Sequence, residues 1–175
     1  PHQEFGFGYL DQVRDVFTDA PRDHIDLLPA DVGRGPYDVA PPAPGRTSWD
    51  FARDDQGWAN TMDLADLGTR DGALCARSAG PDPAFFGPPM DAPAGSFAQV
   101  RVRMRLTATV SSPATDRAQL FWATRRSPES EASSERFDVA LDGAWHDYTI
   151  PVNRNPRWRG RITRLRLDPG NQPDV

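Results

Sequence analysis

A tryptophan flanked by two arginines is the stretch of this chain whose residue types best suit a small polar ring. Trp158 lies between Arg157 and Arg159 in the sequence NPRWRG. An indole face packs on the apolar face of a pyranose ring, while guanidinium groups hydrogen-bond hydroxyls or carboxylates. Trp122, followed closely by Arg125, is a second segment of this kind. We predict both tryptophans as ligand contacts, and the alternative for each is a core residue or a loop anchor.

Arginines also alternate with apolar residues in two predicted strands. One strand face would carry a row of cations unless acids on neighbouring strands pair with it. A concave face of this kind suits an acidic or heavily hydroxylated saccharide, with Arg103 and Arg164 as contacts. A cross-strand lattice of salt bridges, or docking on an acidic surface of a neighbouring domain, are the alternatives. The arginines are Arg101, Arg103, Arg105, Arg164 and Arg166, with Asp138 and Asp147 on strands between them.

Patterns for catalysis and metal binding are weak. His146 could pair with a glutamate of the segment 129–135, but its place beside a predicted turn is typical of a strand residue. There is no phosphate-binding glycine motif, nucleophile elbow or metal-ligand spacing. Acidic residues crowd the segment 54–66, where they could bind a structural calcium ion or cap turns. We expect no independent catalysis and no cofactor, and calcium binding is left open.

The elements that must position these residues are predicted to be short strands. Runs of alternating apolar and polar residues bounded by Gly, Pro, Asp and Asn are typical of half-buried antiparallel strands. About eight of them at these intervals predict an all-β fold, an antiparallel β-sandwich. The pattern of 117–124 does not decide whether Leu120 and Trp122 or Gln119 and Phe121 face the core. The predicted strands are 48–51, 72–78, 97–107, 117–124, 137–141, 145–152 and 161–167, with 80–95 as a long loop and Asp142-Gly143 as a tight hairpin turn.

Residues 1–46 differ in character from the remainder. Leu10, Val13, Val16 and Phe17 have helical spacing and predict a short amphipathic helix. The Pro/Gly-rich stretch that follows, to residue 46, predicts an extended linker. We therefore divide the chain into a helix plus linker at 1–46 and a β-sandwich domain at 47–175. Because the chain begins at Pro1, we expect it to come from a longer polypeptide.

Composition restricts the classes of partner. All 20 basic residues are arginine, and 25 acidic residues give a net charge of −5, which argues against nucleic acid as a partner. The single cysteine, Cys75, allows no internal disulfide. No apolar run approaches the about 20 residues that span a bilayer, so we expect no membrane insertion. The compartment follows the parent protein: secreted or cell-surface if that protein acts on extracellular glycan, and cytoplasmic otherwise.

Three segments resemble a known family. The stretches AQLFW at 118–122, DGAWHDYTI at 142–150 and WRGRITRLRLDPGN at 158–171 resemble galactose-binding-like jelly-roll domains of the carbohydrate-binding-module type. WDF at 49–51 and GW at 57–58 resemble the opening of the same domains. The resemblance covers about 47–171 and implies a jelly roll, often with a structural calcium. It also implies a further strand near the C-terminus, after the strand that ends at residue 167. Because the chain stops at Val175, we expect this strand to be missing, supplied by the N-terminal extension or cut off.

The resemblance implies a binding function. The expected role is a non-catalytic carbohydrate-binding accessory module of a larger bacterial carbohydrate-active or surface protein. Its expected ligand contacts are Trp158, Arg157, Arg159, Trp122, Arg103 and Arg164, and its partners are a glycan or polysaccharide and a neighbouring domain of the parent protein. The alternative is a docking β-sandwich that packs against a catalytic domain, a glycosyltransferase or hydrolase, and binds no sugar.

Overall fold

The computed structural model describes residues 46–108 and 114–170. All of them belong to the compact unit that spans Pro42–Val175. The predicted N-terminal helix, and the linker up to residue 45, lie outside the described residues. No helix in the described ranges is long and apolar enough to cross a membrane.

The described residues form ten short strands, and every pairing between them is antiparallel. The only helices among them are three single turns of 3₁₀ helix, so the prediction of an all-β chain is confirmed at this level. Its finer part, a jelly-roll sandwich, stays a prediction. The strands are β1 (Asn60–Met62), β2 (Leu64–Arg70), β3 (Ala73–Ser78), β4 (Ala84–Phe86), β5 (Ala92–Pro93), β6 (Val100–Met104), β7 (Thr115–Thr124), β8 (Ser134–Ala140), β9 (His146–Ile150) and β10 (Arg161–Asp168).

Three sheets share these strands. The largest has the order β1-β4-β10-β7-β8. β5 also pairs with β10, at the start of that strand, whereas β4 pairs near its end. The other two are the pairs β2-β3 and β6-β9. β7 and β10, paired over most of their length, form the centre of the large sheet and position the segments on either side of them.

The core forms along the buried face of β7. Alternation turns Ala118, Leu120 and Trp122 to this face, and their side chains are at most 1 % exposed. Leu120 and Trp122 are thus the inward pair that the sequence pattern left open. Phe121 is also buried, on the opposite face under Arg166, whose guanidinium carbon lies 4.9 Å from its ring centroid. β7 is therefore covered on both sides, which explains why its apolar run did not reveal one inward set.

The pair β6-β9 contributes to the same core. Ile150 is buried in the cluster that contains Leu120 and Trp122, and Val100 and Val102 pack against it. Val100 lies opposite Ile150 in the ladder, so both strands present apolar side chains to the same cluster. The opposite face of the pair carries the alternating arginines of β6.

The predicted hairpin between 137–141 and 145–152 is wrong in its pairing. Gly143 has a φ of 75°, as expected for the predicted tight turn. Yet β8 pairs with β7, and β9 pairs with β6, so the turn passes the chain from one sheet to another. In place of a ladder, the Tyr148 hydroxyl accepts a hydrogen bond from the Ala140 amide at 3.0 Å. Periodicity predicted the strands but not their partners.

Two other predicted segments differ from the structure. Residues 48–51 form no strand, because Phe51 has a φ of 51° and Asp50 accepts the Ala52 amide in a local turn. Trp49 and Phe51 still pack against the core, as the prediction required. The predicted loop at 80–95 contains the short strands β4 and β5, which its five prolines had concealed because proline is depleted in strands.

Shortening a core side chain of β7 should destabilise the domain. Leu120→Ala removes a 1 % exposed side chain from the centre of the large sheet and leaves a cavity. The expected loss in the free energy of unfolding is about 2–5 kcal/mol, measured by urea denaturation. Thr115→Ala, at the exposed start of the same strand, serves as the control and should cost less than about 1 kcal/mol. Equal losses in the two variants would contradict this account of the core.

Candidate ligand-binding groove

One predicted site residue, Trp158, borders an open groove of about 360 Å³. This volume is near the lower end of the range for small-molecule sites, about 300–1,000 Å³. Trp158 is half-buried, and most of its neighbours in the groove wall are small. The wall consists of Ala94, Gly95, Ser96, Phe97, Ala98, Asn153 and Trp158.

Two 3₁₀ turns build the groove. The first, Ala94–Ser96, closes with a hydrogen bond from the Phe97 amide to the Ala94 carbonyl at 3.1 Å. The second, Val152–Arg154, is joined to the end of the first loop because the Asn153 amide donates to the Ala98 carbonyl at 3.2 Å. The two walls of the groove are therefore linked through their backbones and not only through side-chain packing.

The Trp158 ring is fixed by its own nitrogen. Nε1 donates to the carbonyls of Ala94 and Phe97, both at 3.0 Å. These bonds tie the indole to the first turn and prevent it from rotating about its side-chain bonds. An aromatic ring that is already ordered loses little conformational entropy when a ligand stacks on it.

Trp122 supports this ring from the core. The two indoles meet edge to face, with centroids 5.1 Å apart and planes at 85°. Trp122 is 0 % exposed, and its Nε1 donates to the Arg157 carbonyl at 3.2 Å. The predicted ligand contact at Trp122 is therefore corrected: the ring presents no face to a ligand and instead positions Trp158 and its loop.

Arg157 and Arg159 are exposed beside Trp158 but are not part of the groove wall. Their backbones shape the loop, because the Arg157 amide donates to Asn155 Oδ1 at 2.9 Å and the Arg159 amide to the Arg157 carbonyl at 2.9 Å. Neither guanidinium forms a salt bridge with a described residue. The sequence neighbours of Trp158 are thus at the rim, and Asn153 and Ser96, which sequence reasoning missed, are the polar side chains in the wall.

Asp91 holds β5, the short strand that precedes the first groove turn, against β10. Its carboxylate binds Arg161 at 2.7 Å and Arg125 at 2.8 Å. Arg161 also donates to the Asp91 carbonyl at 2.8 Å, and the Ala94 amide donates to the Gly160 carbonyl at 3.0 Å. The hydrogen bond from Arg161 holds the pKa of the Asp91 carboxyl below its ordinary value, with a further contribution from the Arg125 charge.

The predicted common arginine face is split between two sheets. Arg103 is exposed on β6, in the pair β6-β9, whereas Arg164 lies on β10, in the large sheet. Arg164 binds Glu129 at 2.7 Å, and its guanidinium carbon is 5.6 Å from the Phe86 ring centroid. The prediction that Arg103 and Arg164 lie on one sheet face is therefore wrong, and their roles as ligand contacts stay predictions.

Arg164 and Arg166 fit the alternative interpretation, a lattice of salt bridges. Arg166 holds both oxygens of the buried Asp168, at 2.7 and 2.9 Å, and also binds Asp82 at 3.1 Å. Its guanidinium carbon lies 5.3 Å from the Phe86 ring centroid. These groups are satisfied by one another, so this part of the sheet offers few free donors to a ligand.

Beside this lattice is a larger depression of about 470 Å³, lined by Gln119, Glu131, Ser134 and Arg136. Its side chains form a closed network: Gln119 Nε2 donates to Glu131 and Ser134, and Arg136 donates to Gln119 and Glu131, all within 3.1 Å. A ligand would have to replace these bonds before it gained any of its own. The smaller Trp158 groove is the better candidate despite its volume.

The other candidates have local structural roles. Asp54 and Asp55 accept the amides of Gln56 and Gly57 within their own turn, and Asp63 accepts the Asp82 amide. Among the described residues there is no group of three or more His, Cys, Asp or Glu side chains that could hold a metal ion. His146 Nε2 contacts Asp142 at 3.0 Å and none of the predicted glutamates.

Among the described residues, Trp145 is the one large hydrophobic side chain with substantial exposure, 44 %, and sequence reasoning did not choose it. It precedes β9 and lies beneath the guanidinium groups of Arg103 and Arg105, at 5.7 and 5.2 Å from the ring centroid. The sequence signal was present, a tryptophan two residues after the 142–143 turn. Its exposure follows from the pairing of β9 with β6, which periodicity does not encode.

No family model matches the chain, and no curated protein or solved structure matches it either. The groove is therefore assessed on its own geometry.

Replacing Asp91 by asparagine should reduce stability at neutral pH but not in acid. A carboxyl whose pKa is lowered by folding stabilises the fold fully above its unfolded-state pKa, about 3.9, and this contribution is lost as the pH falls through the folded-state value. We expect the unfolding free energies of wild type and Asp91→Asn to differ at pH 7 and to converge as the pH falls through the lowered folded-state pKa of Asp91, measured by urea denaturation from neutral to acid pH.

The control for this experiment is Asp66→Asn, because Asp66 forms an exposed ion pair with Arg77, with side chains 64 % and 55 % exposed. It should change the free energy of unfolding by less than about 0.5 kcal/mol. A difference between wild type and Asp91→Asn that stays constant from neutral to acid pH would show that the carboxylate charge has no role.

Proposed function

We propose that this domain is a non-catalytic glycan-binding module and that a saccharide ring binds in the Trp158 groove. The observation that carries the proposal is the half-buried Trp158 indole in the wall of an open groove, with its Nε1 already bonded to Ala94 and Phe97. The one polar atom of the indole is satisfied by the protein. The rest of the ring consists of carbon atoms, so the indole offers the groove an apolar surface that suits the apolar face of a sugar.

The wall around the ring supports this class of ligand. Ala94, Gly95 and Ala98 leave room beside the indole, and a Cβ added at Gly95 would meet no atom within 4 Å. The Asn153 amide supplies both donors and an acceptor, and the Ser96 hydroxyl supplies one of each. A flat apolar surface next to a few uncharged hydrogen-bonding groups matches a pyranose, which has an apolar face and a rim of hydroxyls.

The chemical character of the wall favours binding over catalysis. Hydrolysis of a glycosidic bond generally requires two carboxyl groups on either side of the scissile bond. The seven residues of the groove wall include no carboxylate, imidazole or thiol. A module of this kind would hold a larger carbohydrate-active or surface protein on its glycan, and the chemistry would belong to another domain of that protein.

A glycan-array screen of the 175-residue chain tests this proposal. We expect at least one specific saccharide to bind, and Trp158→Ala to weaken it about tenfold or more, equivalent to about 1.4 kcal/mol. Asn153→Ala should weaken it about two- to tenfold without altering thermal stability, because its side chain forms no hydrogen bond with any residue that the structure describes. Trp158→Phe keeps an aromatic face but loses the N–H that donates to the Ala94 and Phe97 carbonyls, so its affinity should be intermediate.

For an uncharged saccharide, Trp145→Ala is the matched control, since it removes an equally large aromatic side chain outside the groove. Circular dichroism and thermal unfolding of each variant separate loss of the site from loss of the fold. Unchanged binding of a specific glycan by folded Trp158→Ala would place the site elsewhere. A folded wild-type chain that binds no glycan would instead favour the docking role.

A further inference from the structure

We infer that the exposed face of the pair β6-β9 binds a linear anionic polysaccharide, one that carries carboxylate or sulfate groups. The surface consists of Arg101, Arg103, Arg105 and Trp145, and is called the arginine stripe below. It shares no residue with the Trp158 groove, so it stands independently of the binding proposed there.

Strand geometry fixes the spacing of the stripe. Alternation in β6 turns Arg101 and Arg103 to the exposed face, and Arg105 follows directly after the strand and is also exposed. Alternate residues of an antiparallel strand are about 6.8 Å apart, so the three Cα atoms span about 14 Å. The guanidinium groups therefore form a row that follows the strand axis.

Trp145 orders two of these arginines. The guanidinium carbons of Arg103 and Arg105 lie 5.7 and 5.2 Å from its ring centroid, within the range of cation–π contacts. Arg101 is held at the other end of the row, where its Nε and Nη2 lie 3.1 and 3.0 Å from the Gln99 amide oxygen in the orientation that satisfies both groups. A cation held by an aromatic ring or an amide keeps its full charge, because neither partner neutralises it.

The charge of the stripe is poorly compensated. Within residues 46–108 and 114–170, none of its three arginines forms a salt bridge, whereas Arg161, Arg164 and Arg166 all do. Asp147 lies opposite Arg103 in the ladder, and Thr149 lies opposite Arg101. Three cations against one carboxylate leave a positive surface on a chain whose net charge is −5. An anion is the complementary ligand.

The dimensions of the stripe favour a single polymer chain. Two strands about 5 Å apart and about 14 Å long present on the order of 150 Å², well below the about 800 Å² per partner of a stable protein interface. An extended peptide would add to the edge of a sheet through backbone hydrogen bonds, whereas the stripe lies on a sheet face and offers only side chains. Guanidinium forks bind carboxylate or sulfate oxygens, and the partly exposed indole contacts a sugar ring.

The test measures binding of the 175-residue chain to polygalacturonate, which carries carboxylates, and to dextran sulfate, by affinity electrophoresis and calorimetry. Unmodified dextran, poly-L-glutamate and oligo(dT) are the comparison polymers. We expect at least one anionic polysaccharide to bind more than about tenfold tighter than all three, and to weaken as salt is raised. The polymer that binds tells whether carboxylate or sulfate is preferred.

Three variants assign this binding to the stripe. Arg103→Gln/Arg105→Gln removes two charges at similar side-chain length and should weaken binding about tenfold or more, and Trp145→Ala should weaken it about three- to tenfold. Arg53→Gln/Arg70→Gln removes two exposed arginines elsewhere and should change it less than about twofold. Trp158→Ala should leave the binding of anionic polysaccharide unchanged. A wrong assignment of the arginine stripe can therefore be distinguished from a wrong assignment of the Trp158 groove.

Several results would overturn the inference. They are no binding of either anionic polysaccharide by folded protein, equal binding of poly-L-glutamate or oligo(dT), and equal losses in the two double-arginine variants. Each would mean that the stripe is a solvated cationic face without preference for saccharide.

Discussion

The perpendicular contact between Trp122 and Trp158 connects the core of this domain to its surface groove. Trp122 is buried in the central strand β7, and Trp158 lies in a loop far along the chain, yet their centroids are 5.1 Å apart. The Trp122 nitrogen bonds the loop backbone and the Trp158 nitrogen bonds the opposite wall. The aromatic pair therefore couples the Trp158 loop and the Ala94–Ser96 turn to the central sheet, in addition to the backbone hydrogen bond that links the two walls.

The arginines of the chain have two physical roles that its sequence does not distinguish. On β10, Arg161, Arg164 and Arg166 are paired with carboxylates and hold the large sheet to its loops. Arg103 in β6 and Arg105 just after it lie over the Trp145 indole, and their charges remain exposed to solvent. A guanidinium serves both roles because it combines a planar fork of donors with a weakly hydrated face that stacks on aromatic rings.

Alternation in the sequence predicted several strands that have one buried and one solvated face, but it missed β1 and β2 in the segment 60–70. Val100 and Val102 against Arg101 and Arg103 are the clearest case, and β3, β7 and β10 were also placed correctly. The prediction failed where a turn competes, as at Phe51, and where proline conceals a strand, as at β5. It could not identify the strand that pairs with β9, because an alternation of two residues shows which side chains share a sheet face but not which strand lies alongside. For the candidate sites, the sequence pattern pointed to Trp158 but not to Asn153 in the groove or Trp145 in the arginine stripe, because the positions of the latter two depend on pairings between distant segments.

The pairing of β9 with β6 also affects how the chain folds during synthesis. Met104 lies opposite His146, 42 residues later, so β6 leaves the ribosome well before its partner. At about 5–20 residues per second the delay is roughly 2–8 s, long compared with the about 1–10 μs in which a hairpin forms. During that time β6 is an unpaired strand with an apolar face, the kind of segment that initiates aggregation. The arginines of its other face repel a second copy of the strand, so they protect the nascent chain before any partner is available.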